Sequence, residues 1–297
     1  MPSQSQQGQS QQDQTQPDQT RQELLRFEDV TIRFDDVVAV DRVSFAMTPG
    51  QTRVILGAAG TGKTTLLKAA IGLLRVNSGK VFLFGQDITG LSEKALFDLR
   101  ARVGVLFQEG GLFDSLTVEQ NVAYPLVNRG KRKKIPANQI HQRVQDALTF
   151  VELTHTLEKF PNELSGGMRR RVGIARAVVT EPPLVLYDSP TAGLDPITAN
   201  TIMALVAKER DTQQTANLIV THRYQDGQIM ANFSYNPKRE ALEPSTSASI
   251  SKGSANGAGS QTIFMVMNEG RLVFEGSQAE LEASKDAYVS KFVLRRR

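Results

Sequence analysis

Short apolar runs separated by turn residues divide most of the chain into strands and helices. The runs at 184–187 and 217–220 are rich in Leu, Val and Ile and lack polar alternation, which is typical of parallel strands buried on both faces. Helices are predicted over 64–74 and over most of 114–179. This order of elements indicates an α/β fold. The predicted strands are 25–33, 37–45, 53–56, 78–85, 104–107, 184–187, 217–220, 263–267 and 272–274.

Two stretches lack any hydrophobic period. Nine of the first twenty residues are Gln, so 1–22 is predicted to be a disordered Gln-rich tail. The hydrophobic period is also absent after Arg223. The Ser, Gly and Ala residues of 243–260 predict a flexible insert over about 228–261. The other predicted boundaries are 23–280 for the folded domain, about 95–180 for its helical subdomain, and 281–297 for a helical, basic C-terminal tail.

Composition narrows the classes of function. The chain has 297 residues, no Cys and a formal net charge of +4, so disulfides and thiolate metal sites are excluded. It has no apolar run long enough to cross a bilayer and no apolar secretory signal, so a cytoplasmic protein is expected. Lys and Arg are scattered apart from 129–134, which gives at best weak support for binding to nucleic acid or anionic lipid, and no nucleic-acid partner is expected.

Residues 57–65 read GAAGTGKTT and match the phosphate-binding pattern G-x-x-x-x-G-K-[ST]. The glycines let successive backbone amides face one anion, and the helix that follows begins at the loop, where its dipole favours negative charge. Lys63 can reach the terminal phosphates, and the Thr64 hydroxyl can hold Mg²⁺. The predicted phosphate-binding residues are Gly57, Ala58, Ala59, Gly60, Thr61, Gly62, Lys63, Thr64 and Thr65.

A second candidate residue for binding Mg²⁺ lies at the end of the predicted strand 184–187. Asp188 ends that strand, and a carboxylate there can bind Mg²⁺ through the water shell of the ion. An Asp after a strand is commonly a helix cap, but the surrounding sequence YDSPTAGLD at 187–195 favours the metal-binding role.

Residues 164–168 read LSGGM, which is the signature sequence of ATP-binding cassette (ABC) ATPases. The motifs between residues 25 and 276 follow the order found in that family, and the chain resembles it over this whole stretch. The resemblance implies a P-loop NTPase fold, an ABC nucleotide-binding domain with a mostly parallel core sheet, an antiparallel β-subdomain and an α-helical subdomain. It also implies ATPase activity, with ATP and Mg²⁺ as cofactors.

The resemblance assigns roles to three further side chains. Gln108 is expected to sense Mg²⁺ and the γ-phosphate, so the implied metal-binding residues are Thr64, Gln108 and Asp188. His222 matches the switch histidine that contacts the γ-phosphate. Phe34 matches the aromatic residue that stacks on adenine, although an ordinary strand aromatic explains Phe34 equally well because this motif is the least specific.

The signature sequence implies a dimer. In the family, the residues matching Ser165, Gly166 and Gly167 open a helix that covers the γ-phosphate bound by the other subunit. A Ser hydroxyl, glycine amides and a helix dipole all favour an anion at that place. Asp195 resembles the residue that crosses the interface of the two subunits. A head-to-tail ATPase dimer is therefore expected, either a homodimer or a pair with a paralogue.

One residue departs from the ABC pattern. The family has Glu after the metal-binding Asp, where it polarises the attacking water, and this chain has Ser189. A Ser hydroxyl stays protonated at neutral pH, and loss of a positioned base costs on the order of 10²–10⁴-fold in rate. Three outcomes stay open: slow hydrolysis, pairing with a different ATPase subunit, or another group that positions the water. The implied catalytic residues are Gln108, Asp188, Ser189 and His222.

A closer resemblance is to the Mla- and Mce-type lipid transporters. It rests on LSGGMRRRVGIARA at 164–177 and YDSPTAGLDPIT at 187–198, while Ser189 and Arg223 depart from it. It implies an assembly of two ATPase subunits, two transmembrane permease subunits and an Mce-domain lipid-binding protein. The chain would then lie on the inner face of the cell membrane, held there by the permease.

The contact with the permease is expected at 110–114, where Leu112 and Phe113 follow flexible glycines. Large apolar residues in such a loop suit the docking of a short helix. Two other functions stay open: a regulatory ATP-binding module without hydrolysis, and a soluble ABC ATPase outside transport. The second is disfavoured because such proteins usually carry two cassettes or a large coiled-coil insertion.

Overall fold

The structure is a computed structural model that describes residues 23–128, 135–245 and 262–293. The predicted Gln-rich tail and residues 246–261 of the predicted insert lie outside the described residues. The strands are β1 (Leu25–Phe34), β2 (Val37–Met47), β3 (Thr52–Leu56), β4 (Ser78–Leu83), β5 (Gln86–Asp87), β6 (Val103–Leu106), β7 (Leu184–Asp188), β8 (Ala216–Thr221), β9 (Phe233–Asn236), β10 (Ala241–Pro244), β11 (Thr262–Asn268) and β12 (Arg271–Gly276). The helices are α1 (Lys63–Ala70), α2 (Glu93–Arg100), α3 (Val118–Val127), α4 (Ala137–Phe150), α5 (Gly166–Val178), α6 (Pro196–Gln213), α7 (Tyr224–Asn232), α8 (Gln278–Glu282) and α9 (Ser290–Val293).

A six-stranded sheet forms the centre of the fold. Its strand order is β12-β11-β3-β8-β7-β6, and only the β11–β12 pair is antiparallel. Every residue of β3, β7 and β8 is buried, which explains why these strands lack polar alternation. Because β3, β8, β7 and β6 are parallel neighbours, the residues that follow them meet at one edge of the sheet.

A second, four-stranded antiparallel sheet has the order β2-β1-β4-β5. Its inner face includes Phe27 and Phe45, whose stacked ring centroids are 4.8 Å apart. Leu66 and Leu67 of α1 are buried in the same apolar cluster as these strands and Ile55 of β3. This cluster fixes the start of α1 between the two sheets.

A second apolar cluster joins the helices to the other face of the central sheet. It includes Val122 of α3, Leu148 of α4, Val172 of α5 and Ile202 of α6, all fully buried. The predicted fold class, a mostly parallel sheet with an antiparallel β-subdomain and a helical part, is confirmed.

The prediction of a flexible insert from residue 228 is wrong over 228–244. Helix α7 and the antiparallel β9–β10 hairpin occupy this stretch. The hairpin is fixed by polar contacts with α6: Arg210 donates to the Phe233 carbonyl at 2.9 Å, and Asp211 accepts the Tyr235 amide at 2.7 Å. A hydrophobic period cannot reveal an element whose position depends on buried polar contacts with a distant helix.

Candidate functional site

The predicted phosphate loop connects β3 to α1 and is packed tightly against two strands. Gly62 precedes α1 with φ 96°, and a Cβ at that position would collide with the Ala39 carbonyl of β2. A Cβ at Gly57 would lie 2.7 Å from the Met267 carbonyl of β11. Only glycine fits these two positions, so the packing of the loop fixes its backbone shape.

The Lys63 side chain lies beneath this loop and is buried. Its Nζ donates to the Gly57 carbonyl at 2.9 Å and to the Ala58 carbonyl at 2.6 Å. Burial lowers the pKa of Lys63, and the nearby Asp188 carboxylate opposes that effect. The arrangement keeps a cation where an anion bound by the loop amides would need it.

Asp188 is the last residue of β7, and its side chain is hydrogen-bonded to the first turn of α1. Its Oδ1 accepts hydrogen bonds from Thr64 Oγ1 at 3.1 Å and from Ser189 Oγ at 3.4 Å. Burial raises the pKa of Asp188, while these hydrogen bonds and the neighbouring Lys68 and Lys63 lower it. A buried carboxylate beside a hydroxyl is an oxygen donor set that suits Mg²⁺.

Two other predicted nucleotide contacts, Gln108 and His222, lie at the same edge of the central sheet. Gln108 follows β6 and His222 follows β8, so they flank Asp188 on the two neighbouring strands. Both side chains are exposed. Phe34 ends β1 and is 46% exposed, so its ring face is available for stacking.

The signature residues form a separate cluster with the start of α6. Ser165 caps α5 by accepting the Met168 amide at 3.2 Å. Asp195 caps α6, and its Oδ1 accepts two backbone amides of the first turn at 3.0 Å. A Cβ at Gly167 would lie 2.7 Å from Thr198 Cγ2, so the two helix starts are in contact. The structure therefore brings Ser165–Gly167 and Asp195 together on one exposed face.

Sequence reasoning missed two buried charged residues beside this site. Arg170 is 4% exposed although it lies within a run of three arginines that looks like a solvated helix face. Helical spacing could have found it, because Ile174 and Ala177 follow it by four and seven residues and are buried. Asp226 of α7 is 1% exposed and accepts hydrogen bonds from Thr191 at 2.6 Å and Thr221 at 2.7 Å.

The C-terminal segment also reaches the phosphate loop, which the sequence did not indicate. The Tyr288 hydroxyl accepts the Ala58 amide at 3.4 Å and donates to the Met267 carbonyl at 3.3 Å. Leu281 and Val289 anchor this segment in the core.

The family model described as ABC transporter matches residues 40–192, which is more than half of the chain. The chain belongs to the ABC transporter family. Its phosphate loop, its signature sequence and Asp188 all fall within the matched residues.

Two curated ABC relatives differ in what they transport. The methionine import ATP-binding protein MetN of Carboxydothermus hydrogenoformans is 44% identical over 63% of this chain and 54% of its own length. The intermembrane phospholipid transport ATP-binding protein MlaF of Haemophilus influenzae is 35% identical over 72% of this chain and 80% of its own. The match thus spans about half of the methionine protein and most of the phospholipid protein.

Solved ABC cassettes share the fold. A bacterial ABC transporter cassette solved as a dimer is 25% identical, with a TM-score of 0.69 over 85% of this chain and 98% of that chain. Within the described parts of this chain, none of the helices is long and apolar enough to cross a membrane.

Proposed function

We propose that this chain is the ATP-binding subunit of a membrane transporter that moves phospholipid. The observation that carries the ATP-binding part is the 3.1 Å contact of Thr64 with Asp188, next to the buried Lys63 and a glycine loop at a helix N-terminus. These groups supply what a magnesium-bound triphosphate requires: backbone amides, one cation and oxygen donors for the ion.

Each part of the site has a role in this proposal. The amides of 57–65 and Lys63 would hold the phosphates, and Thr64, Asp188 and Gln108 would hold Mg²⁺. Phe34 would stack on adenine, and His222 would contact the γ-phosphate. Bound MgATP supplies the phosphoanhydride bond, and the chain supplies orientation and charge stabilisation, on which phosphoryl transfer mainly depends.

We further propose that two ATPase subunits pair head to tail. The exposed cluster of Ser165–Gly167 and Asp195 supports this arrangement, because amides at a helix N-terminus favour an anion presented from outside the chain. The dimeric state of the related cassette also supports it. The pair could be a homodimer or could include a paralogue.

The proposed permease contact is a groove beside β6, lined by Phe107, Phe113, Tyr124 and Arg176 and enclosing about 360 Å³. Phe113 is 42% exposed and Tyr124 41%, with ring centroids 4.6 Å apart. Leu112, in contrast, packs partly against the core. An exposed aromatic pair in a groove suits the apolar face of a short helix.

Phospholipid is the proposed substrate because the resemblance to phospholipid-transport proteins is the more extensive one. The match to the phospholipid protein covers a greater share of both chains than the match to the methionine protein. The sequence MRRR at 168–171 adds to it. An Mce-domain lipid-binding protein would complete the assembly, which would sit on the inner face of the cell membrane.

The substrate can be tested on the transporter purified from membranes with this chain as bait. Phospholipid should co-purify in amounts that mass spectrometry detects above a mock purification, and added phospholipid should stimulate ATP turnover. Stimulation by methionine, with no response to phospholipid, would contradict the lipid assignment and leave the ATP-binding assignment intact.

Replacing Phe113 with Asp should release the protein from membranes. The substitution places an unpaired carboxylate in the proposed apolar contact, and we expect the membrane-bound fraction to fall by about tenfold. Cell fractionation measures this fall, and a fluorescent nucleotide assay should show unchanged MgATP affinity.

Val273→Asp is the matched control. Val273 is 46% exposed on β12, at the opposite edge of the central sheet from β6, so membrane association should be retained. Folded Phe113→Asp protein that stays on membranes would exclude this groove as the contact. A wild-type protein found only in the soluble fraction would contradict the transporter assignment itself.

A further inference from the structure

The segment that follows Asp188 is held by the guanidinium group of Arg170. This residue lies on α5, the helix that begins at the signature sequence and is called the signature helix below. Arg170 Nη1 donates to the carbonyls of Ser189 at 3.2 Å, Pro190 at 2.8 Å and Ala192 at 2.9 Å. Charge-assisted hydrogen bonds in a buried setting are stronger than neutral ones. Arg170 therefore fixes the path of the backbone over 189–192.

Ser189 needs this support because its backbone is strained. Its φ is 50°, in the left-handed region that side-chain-bearing residues rarely adopt. Its amide donates to the Val220 carbonyl of β8 at 2.8 Å, and its carbonyl accepts both Arg170 and the Ala192 amide, the latter at 3.1 Å. Contacts on both sides of residue 189 set the direction in which its side chain leaves the backbone.

The same segment is held from its other side by α7. Thr191 Oγ1 donates to Asp226 Oδ2 at 2.6 Å, and Thr221 at the end of β8 donates to the same oxygen at 2.7 Å. Residues 189–192 thus lie between the signature helix and the strand that leads to His222.

We propose that Arg170 is a positioning residue, one that couples the signature loop to the residue beside Asp188. Ser165, at the start of α5, lies five residues before Arg170 on the same helix. Because a helix moves as a stiff unit, displacement of the signature end shifts the carbonyls that Arg170 holds. When the nucleotide bound by a partner subunit contacts Ser165–Gly167, the resulting shift of α5 would change the position of the residue 189 backbone. This coupling rests on the proposed function, whereas the support of residues 189–192 by Arg170 does not.

The test uses Arg170→Gln, Arg170→Lys and the matched control Arg171→Gln. Arg171 is the next residue on α5, but its Nη1 donates to the Val151 carbonyl at 3.2 Å. The control therefore removes the same charge from the same helix without touching 189–192. Arg170→Lys retains a buried cation that can still reach a carbonyl, so it should fold even if Arg170→Gln does not.

Hydrogen exchange measured by mass spectrometry tests directly whether Arg170 holds the backbone of residues 189–192. Exchange of the amides in 189–194 should rise by about tenfold in Arg170→Gln and by less in Arg170→Lys, because local opening follows the lost hydrogen bonds. Exchange of β8 should stay unchanged, which separates this effect from global destabilisation. Wild-type exchange in 189–194 for both Arg170 variants, or an equal rise in Arg171→Gln, would overturn the proposal.

The effect of Arg170 on catalysis is measured as the ATP turnover of Arg170 and Arg171 variants that also carry Ser189→Glu. Arg170→Gln should lower kcat by about tenfold or more with KM within about twofold, because misplaced reacting groups lose rate while ATP binding persists. Arg170→Lys should recover part of the loss, and Arg171→Gln should leave kcat unchanged. A change confined to KM would contradict the coupling. If Ser189→Glu alone does not raise turnover, the missing carboxylate at residue 189 does not limit hydrolysis. The hydrogen-exchange result would then still decide whether Arg170 positions residues 189–192.

Discussion

Replacing Ser189 with Glu is expected to raise the rate of ATP hydrolysis by about 100-fold. The substitution supplies a carboxylate base next to Asp188, and positioned bases contribute roughly 10²–10⁴-fold. The Glu side chain would leave a backbone already held at φ 50° by Val220 and Arg170. Steady-state phosphate release measures the effect.

Two variants make this test specific. Ser189→Gln has nearly the shape of the glutamate variant without its charge, and its rate should stay at the wild-type level. Lys63→Ala should abolish MgATP binding, which shows that the measured hydrolysis comes from this site. Equal rates for wild type, Ser189→Glu and Ser189→Gln would mean that the missing carboxylate does not limit turnover, and that another group positions the water.

The isolated chain and the assembled transporter should then be compared. A wild-type rate that is slow alone and rapid in the complex would favour pairing with a second ATPase subunit, since the intact signature sequence of this chain could complete the site of that partner. A rate that is slow in both would favour slow hydrolysis at the Ser189 site.

Replacing Glu209 with Gln is expected to stabilise the protein at pH 8 and to leave its stability unchanged at pH 4. Glu209 of α6 is 1% exposed, and its Oε2 accepts a hydrogen bond from Thr215 at 2.6 Å. Among the described residues its Oε1 has no hydrogen-bond partner. Burial raises the pKa of Glu209 from 4.5 to about 7, and the hydrogen bond from Thr215 and the charge of Arg210 oppose that rise.

The direction of the pH effect follows from proton binding. Below the unfolded pKa, Glu209 is protonated in both states and contributes no pH dependence. Between the unfolded and the folded pKa, the folded state retains a proton that the unfolded state has lost. The free energy of unfolding therefore falls as pH rises, by roughly 3 kcal/mol in all. Above about pH 7 the loss is complete.

Thermal melting at pH 4 and pH 8 measures the effect. Glu209→Gln should raise Tm by about 5 °C or more at pH 8 and should match wild type at pH 4. Glu158→Gln, which alters an exposed carboxyl group, should show no such pH-dependent difference. An equal Tm difference at the two pH values would mean that Glu209 does not titrate in this range in the folded protein.

The sequence predicted the strands of the central sheet well, and it placed the glycine-rich loop correctly between β3 and α1. Runs such as 184–187 and 217–220 need only local apolar content to be recognised, and the loop is defined by glycines whose backbone freedom is a local property. The contact between Thr64 and Asp188 could also be anticipated, because Asp188 ends β7 and Thr64 lies in the first turn of the helix that follows the parallel strand β3. That the two atoms are 3.1 Å apart required the structure.

The prediction failed where burial involved polar side chains. The insert at 228–244 lacks a hydrophobic period, yet Arg210 and Asp211 of α6 fix its hairpin. Arg170 lies in a run of three arginines, a pattern typical of a solvated basic face, yet its guanidinium group donates to three backbone carbonyls. Hydropathy treats such residues as exposed, because the groups that compensate their burial come from distant parts of the chain.

The sequence by itself determined the α/β class, the family resemblance, the order of the nucleotide motifs and the missing carboxylate at Ser189. Each of these depends on residue type and short-range spacing. Only the tertiary structure decided that Arg170 holds the segment after Asp188 and that Phe113 is exposed in a groove. It also decided that Glu209 is buried with one oxygen that has no hydrogen-bond partner among the described residues. These facts depend on which distant groups meet, and the free energy of a buried polar group is set by those partners.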